Sequence, residues 1–378
     1  MKLFLIAGEV SGDQLGYKLI RALRAKVPDV ELSGVGGEAM TRENFVSLFP
    51  MSDIAVMGIF PVIARLPSLL ERIDRTARAA VAARPDALIL IDSPDFTHRV
   101  ARRVRKILPD LKVVDYVSPT VWAWRPGRAK KMRAYVDLVL ALLPFEPAAH
   151  ERLGGPACIY VGHPLIERLA DLRADDALKL NGPVLVLPGS RASVLARMAG
   201  AFGGTLEQLD AMRPGLDYVL PAAAAVETRV RAAIEDWKVK PRLALGEREK
   251  FAAFRSARAA LAASGTVTLE LALSRTPTVV AYRVPKFEEF LARRLVQAST
   301  IVLPNLILEE NAFPEFVQEQ AESATLAAAL AEIVEDSPLR RRQLAALDRL
   351  KGRMILPDGA RPSEKAAQAI VELVNTTI

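Results

Sequence analysis

Asp92 is the residue whose position is hardest to explain by structure alone. It ends the apolar run Ala87–Ile91, in the segment Ile91-Asp92-Ser93-Pro94-Asp95-Phe96. Ser93 reads as the N-cap of a following helix, Pro94 fits its first turn, and Asp95 suits the positive end of its dipole. Asp92 has no such duty. A carboxylate at a strand end, facing a cleft, is well placed to take a proton as a general base. The loop Gly8-Glu9-Val10-Ser11-Gly12-Asp13 follows another apolar run, Lys2–Ala7. Gly8 and Gly12 allow a tight, open turn, while Glu9, Ser11 and Asp13 bring polar groups to the cleft. Ser11 also reads as a helix cap. The G-x-G-x-x-G spacing of a dinucleotide site is missing.

Two further turns suit a phosphate. Pro188-Gly189-Ser190-Arg191 follows an apolar strand and opens a helix. Glycine permits close approach, backbone N–H groups at a helix start attract anions, and arginine adds a charged fork. The plainer reading makes Ser190 a cap and leaves Arg191 in solvent. Ala263-Ser264-Gly265-Thr266 is the second turn, with Glu270 one helical turn on. Its hydroxyls and N–H groups suit a diphosphate, and Glu270 suits a pair of ribose hydroxyls. The plainer reading is a strand–turn–helix corner with a solvated glutamate. Together the turns point to one UDP-like ligand in the second half of the chain.

Other chemistries find little support. The three histidines, His98, His150 and His163, lack metal-ligand spacing, and no D-x-D acidic pair occurs. We expect neither metal nor cofactor. The single cysteine, Cys158, lies in the strand-like run Ala157–Val161 without an activating neighbour and reads as core filler.

The elements that position these residues follow one repeated pattern: an apolar run, punctuation by Gly, Pro, Ser or Asp, then a helical stretch. Strands are expected at Lys2–Ala7, Glu31–Val35, Ala87–Ile91, Lys112–Val117 and Leu138–Leu142. After Pro164 the pattern restarts, with Pro183–Leu187, Tyr218–Pro221, Arg242–Leu245, Ala259–Ala262 and Thr278–Ala281. The fold class is therefore α/β, two doubly wound Rossmann-like domains meeting at an interdomain cleft. We set the first domain at 1–165 and the second at 166–354. The tail is mostly helical, and its last part, 355–378, is expected to pack on the first domain or on a partner chain.

The chain of 378 residues is long enough for two such domains. Its 51 Lys and Arg against 44 Asp and Glu give +7, which favours phosphates or an acidic bilayer. Aromatics are only 6%, without basic residues interleaved among them, so nucleic acid is not an expected partner. The N-terminal apolar run breaks at Gly8-Glu9, too early for a secretory signal, and no stretch reaches the roughly 20 apolar residues of a membrane span. Two apolar stripes with basic flanks remain: Ile59–Ile73, beside Arg65 and Arg72, and Phe287, Phe290, Leu291 and Leu295, beside Lys286, Arg293 and Arg294. Such stripes are core packing more often than lipid contacts, yet they also suit a peripheral helix on anionic lipid. The basic runs Arg99–Lys106 and Arg125–Arg133 read mainly as solvated helix faces, with some members free for an acceptor phosphate.

Over most of its length the chain resembles the lipid-A-disaccharide synthases. The resemblance rests on Ala7–Asp13, Ala55-Val56-Met57-Gly58, Ile91–Phe96, Leu143-Pro144-Phe145-Glu146, Val161-Gly162-His163-Pro164, Leu187–Arg191, Ala263–Thr266 and Leu303-Pro304-Asn305. Its most specific stretch is Tyr116-Val117-Ser118-Pro119-Thr120-Val121-Trp122-Ala123-Trp124-Arg125. It departs from the family's usual pattern at Pro61, Val194 and Glu309-Glu310. The resemblance implies an inverting, metal-independent transferase of the two-domain GT-B type. It would move 2,3-diacylglucosamine from UDP to 2,3-diacylglucosamine 1-phosphate (lipid X), forming a β(1→6) disaccharide and UDP. By position, Asp92 matches the proposed base, and Ser190, Arg191 and Asn305 match donor-site residues, with Gly265, Thr266 and Glu270 beside them. Glu9, Ser11, Asp13, Trp124 and Arg125 are the acceptor-side candidates. The implied setting is peripheral, on the cytoplasmic face of the inner membrane, with a homodimer as a further possibility. Alternatives are another GT-B transferase or a UDP-sugar epimerase of envelope synthesis, or a non-catalytic UDP-sugar sensor.

Overall fold

The computed structural model describes residues 1–55, 65–173, 176–295 and 298–376. The chain divides into two compact units, Met1–Pro164 with Leu356–Ile378, and Leu165–Ile355.

In the first unit the apolar runs form strands β1 (Lys2–Ala7), β2 (Glu31–Val35), β3 (Ala87–Ile91), β4 (Lys112–Tyr116), β5 (Leu138–Ala141) and β6 (Ala157–Tyr160). They make one parallel sheet in the order β2-β1-β3-β4-β5-β6. Such strands are apolar on both faces because helices cover both. On one face Leu19, Ile20 and Leu23 of helix Val10–Lys26 meet Ala366 and Ile370 of helix Pro362–Asn375 over Leu3, Leu5 and Ile89. The C-terminal helix thus completes the core of the unit that begins the chain. On the other face Ile73, Ala77, Val100 and Val104 pack on Phe4, Ile6, Leu88 and Leu90.

Strand order reverses between β1 and β3, and their register sets Ala7 opposite Ile91. The loop after β1 and the loop after β3 therefore leave the sheet side by side. A crevice at such a reversal is where doubly wound sheets bind ligands.

The second unit repeats the plan with β7 (Val184–Leu187), β8 (Tyr218–Ala222), β9 (Arg242–Leu245), β10 (Ala259–Ala263), β11 (Thr278–Tyr282) and β12 (Glu315–Val317). The order is β12-β11-β10-β7-β8-β9, again parallel throughout. Its reversal falls between β7 and β10, whose ends carry the two phosphate-friendly turns. The pair of parallel sheets bears out the doubly wound reading. β12 was not expected, since three half-buried residues opening with Glu315 have no readable period.

No helix of the described residues is long and apolar enough to cross a membrane. Residues 59–64 of the first apolar stripe, with Pro61, lie outside the described residues. In its described part Ile73 points into the core, while Leu66 and Leu70 are exposed.

Candidate functional site

Asp92 stands at the end of β3, in the crevice position of the first unit. Both it and Ser93 adopt left-handed backbone, with φ of 59° and 46°. Two consecutive non-glycine residues in that region are strained, and aspartate tolerates it better than most. The turn brings the carboxylate back against the first loop. Ser11 Oγ donates to Asp92 Oδ2 at 2.8 Å, and the Ser93 N–H donates to Oδ1 at 2.8 Å. Thr97 Oγ1 donates to the Asp92 carbonyl at 3.0 Å and closes the turn from the helix side. Neighbouring glycines make room. A Cβ at Gly8 would lie 2.5 Å from Ser93 Cβ, and one at Gly12 would lie 2.9 Å from the Ile91 carbonyl oxygen. Asp92 remains half-buried, so one side of its carboxylate faces solvent.

Two expectations about caps are corrected. Ser93 occupies the N-cap position of helix Pro94–Ile107, yet its side chain caps nothing, and its Oγ is buried without a partner. The left-handed φ turns that hydroxyl toward Gly8 instead of the helix. Ser11 is no cap either, because helix Val10–Lys26 starts one residue earlier, at Val10, and its hydroxyl goes to Asp92.

The other acceptor-side candidates divide. Glu9 is half-buried at the start of helix Val10–Lys26. Asp13 is buried, and its carboxylate accepts from the N–H groups of Gly37 at 2.8 Å, Ala39 at 2.8 Å and Met40 at 3.1 Å. Its charge is spent on fastening the loop after β2. Trp124 and Arg125 are exposed, with the guanidinium 4.0 Å from the centre of the indole ring. In the basic runs, Arg102 bonds Tyr135, Arg103 pairs with Asp74, Arg105 with Asp137, and Arg128 with Asp95. Those arginines are engaged within the unit.

In the second unit both turns line one cavity of about 410 Å³. Ser190, Arg191, Gly265, Thr266 and Glu270 all contribute to its wall. Arg191 directly precedes helix Ala192–Met212, and its exposed side chain makes no bond to any described residue. Gly189 has φ +106°, and a Cβ there would come within 2.7 Å of Val194 Cγ1, so the turn needs glycine. Ser264 is not free: its hydroxyl donates to the Ile301 carbonyl at 2.6 Å. Lys250, from helix Gly246–Ser256, also reaches the wall and sets its ammonium 2.8 Å from Glu270 Oε1. Sequence reasoning missed Lys250. In the run Glu247-Arg248-Glu249-Lys250 it looks like one more solvated charge.

The sequence model of the lipid-A-disaccharide synthetase family matches residues 3–367. The chain belongs to this family. Among its relatives, the lipid-A-disaccharide synthase of Nitrobacter hamburgensis is 51% identical over 382 residues, spanning 100% of this chain and 96% of that protein. That of Rhodospirillum centenum is 41% identical over 384 residues, spanning 100% and 95%. Similar solved structures include UDP-GlcNAc 2-epimerase from Neisseria meningitidis bound to UDP-GlcNAc, at TM-score 0.61, 11% identity and 100% of both chains. The OtsA apo structure matches at TM-score 0.60, 12% identity and 100% of both chains. These two share the fold alone, the GT-B pairing of Rossmann-like units.

Within the family's motifs, the tryptophan segment is fixed from below. Trp122 Nε1 donates to Glu146 Oε1 at 3.2 Å, and Trp122 meets Phe145 edge-on at 5.1 Å between centroids. Glu146 is buried and also accepts from the N–H groups of Leu142 at 3.1 Å and Leu143 at 3.0 Å. Burial pushes its carboxyl up to about 7, although these three donors favour the charged form. Ser118 Oγ lies 2.9 Å from His150 Nε2, and burial lowers the pKa of that ring. Leu143-Pro144-Phe145-Glu146 carried the resemblance, but nothing in its residue types showed which loop Glu146 holds. Cys158 is partly buried, and its thiol is pushed up by that burial.

Asn305 does not line the cavity. Its amide donates to Asn311 Oδ1 at 3.0 Å and the Phe313 carbonyl at 2.9 Å, and accepts from the Phe313 N–H at 2.8 Å. Nearby, Glu315 accepts from Thr300 Oγ1 and the Ile301 N–H, and Ile301 in turn takes the Ser264 hydroxyl. Of the departures, Val194 is buried against Gly189, and Glu310 pairs with Arg349. Val194 also lines the cavity, and Glu310 is exposed.

Proposed function

We propose that the chain is an inverting glycosyltransferase that moves 2,3-diacylglucosamine from UDP to the 6-hydroxyl of 2,3-diacylglucosamine 1-phosphate, releasing UDP. Membership in the family and full-length relatives named lipid-A-disaccharide synthase support the reading. The observation that carries the mechanism is Asp92. Each of its oxygens receives one hydrogen bond from the chain itself and keeps a lone pair for a substrate hydroxyl.

The acceptor hydroxyl oxygen bonds to the anomeric carbon as its proton passes to Asp92. The bond from that carbon to the diphosphate oxygen breaks, and its electron pair leaves with UDP. Attack from the face opposite the leaving group inverts the centre. Arg191 and the N–H groups at the start of helix Ala192–Met212 meet the growing charge on the diphosphate. Ser190, Gly265 and Thr266 line the same cavity, and Glu270 accepts from the ribose. Asn305 serves by fixing the loop that carries Asn311 and Phe313. On the acceptor side, Glu9 is half-buried while Trp124 and Arg125 are exposed, and Arg125 suits the 1-phosphate.

The setting is the cytoplasmic face of the inner membrane. Phe287 and Phe290 are 72% and 52% exposed beside Lys286 and Arg294, the composition of a peripheral lipid contact. A second copy of the chain is a further candidate partner, checked by mass from light scattering. The activity itself is tested by incubating the protein with UDP-2,3-diacylglucosamine and the monosaccharide phosphate. A disaccharide phosphate and UDP, seen by mass, support the reading. Neither product, or hydrolysis of the donor alone, sinks it.

A further inference from the structure

Two cations line the donor cavity with different commitments. Arg191 is unbonded among the described residues, while Lys250 Nζ lies 2.8 Å from Glu270 Oε1. The Lys250 and Glu270 side chains are 27% and 15% exposed, so the pair is largely withdrawn from water. Attraction between two charges strengthens under those conditions, and losing one partner leaves the other costly to keep charged. The ammonium is held from a second side as well, 5.1 Å from the ring centre of Phe251 and 5.6 Å from that of Phe254. Glu270 Oε2 makes no bond to any described residue. The pair thus presents one occupied and one open carboxylate oxygen to the cavity.

We propose that Lys250 is the positioning residue that makes the cavity select a ribonucleotide: it holds the Glu270 carboxylate aimed so that its open oxygen accepts from the ribose hydroxyls. The proposal rests on the reading that this cavity takes the UDP part of the donor. It divides recognition between two cations. Arg191 answers to the diphosphate. Lys250, already neutralised by Glu270, answers to the sugar through the carboxylate. A lysine that merely pinned helix Gly246–Ser256 to helix Val267–Leu273 would affect every nucleotide alike, so the two roles separate in a ratio of affinities.

The experiment is calorimetric binding of UDP, 2′-deoxy-UDP and UMP to the full chain and its variants, each checked for an unchanged circular dichroism spectrum. The intact protein binds UDP more tightly than 2′-deoxy-UDP by about tenfold to a hundredfold, the usual worth of a hydrogen bond to a charged group. In Lys250→Met that ratio falls to within about threefold, while the preference for UDP over UMP stays; a residual ratio this small is what a water-facing carboxylate leaves. Lys250→Arg, which keeps the ion pair, restores the ribose preference. Arg191→Ala does the reverse, losing the UDP-over-UMP preference and keeping that for ribose. Two outcomes overturn the proposal: an unchanged ribose preference in Lys250→Met, or equal weakening of all three ligands. Failure of the intact protein to bind UDP at all overturns the UDP reading itself, and this proposal with it.

Discussion

The Ser11 hydroxyl lies 2.8 Å from a carboxylate oxygen of Asp92, joining residues 81 apart in the chain. The bond exists because β1 and β3 are neighbours in the sheet, so that the loop after one strand lies against the turn after the other. A serine that caps nothing and an aspartate with no structural duty are thereby matched.

Removing that hydroxyl is expected to slow the reaction without unfolding the chain. Ser11→Ala leaves Asp92 with the Ser93 N–H alone. One hydrogen bond to a charged group is worth about 1.5 kcal/mol, so kcat should fall about tenfold. The KM for donor should hold, since Ser11 and the cavity belong to different units. Steady-state kinetics decide it, and an unaltered kcat with a raised donor KM would remove Ser11 from this role.

Asp13 is expected to act on stability. Asp13→Ala orphans the N–H groups of Gly37, Ala39 and Met40 together. Lost caps and unpaired buried donors of this kind cost about 2 kcal/mol. Thermal unfolding should show the first unit melting earlier while UDP affinity is retained. A melting curve identical to that of the parent chain would mean that these bonds are not formed in solution.

Glu146 gives the first unit a pH-dependent stability. Its folded pKa is raised from 4.5 to about 7 by burial, so the folded state favours the protonated form. That contribution is full below pH 4.5 and is lost as pH rises through about 7. The linkage amounts to about 3 kcal/mol across the window. Glu146→Gln removes the titration and should flatten the dependence. Denaturant unfolding followed by fluorescence of Trp122 and Trp124, repeated between pH 5 and 8, measures it. The same slope in both proteins would contradict the assignment.

Lipid attachment is expected to follow Phe287 and Phe290. Sedimentation with anionic vesicles should pull down the parent chain at low salt and release it at about 0.5 M salt, where screening is nearly complete at short range. Phe287→Ser with Phe290→Ser should weaken binding several-fold. Undiminished binding in the double variant would move the contact elsewhere.

Much of the fold was legible because parallel strands are buried on both faces and read as unbroken apolar runs. Lys2–Ala7, Glu31–Val35, Ala87–Ile91 and Arg242–Leu245 have the bounds their residues predict. β12 was illegible because a three-residue edge strand leaves no pattern. At the site, Asp92 and Arg191 stood out as charges that no cap or pair explained; in the structure the Arg191 side chain bonds no described residue, while Asp92 accepts from Ser11 and from the Ser93 N–H. Ser93, Ser11 and Asp13 were harder, since each residue type suits both a cap and a polar site. Only the backbone turn at Asp92 and the position of the loop after β2 decide between these. Lys250 and Glu146 were hidden for another reason: their partners, Glu270 and Trp122, are brought to them by packing across intervening elements.

The central claim is that the Asp92 carboxylate takes the acceptor proton. It is tested most directly by turnover of Asp92→Ala with both acylated substrates, alongside its UDP affinity and far-ultraviolet spectrum. The account predicts a fall in kcat of about a hundredfold to ten-thousandfold, as for other lost general bases, with fold and UDP binding retained. Turnover within a few-fold of the parent chain would contradict it.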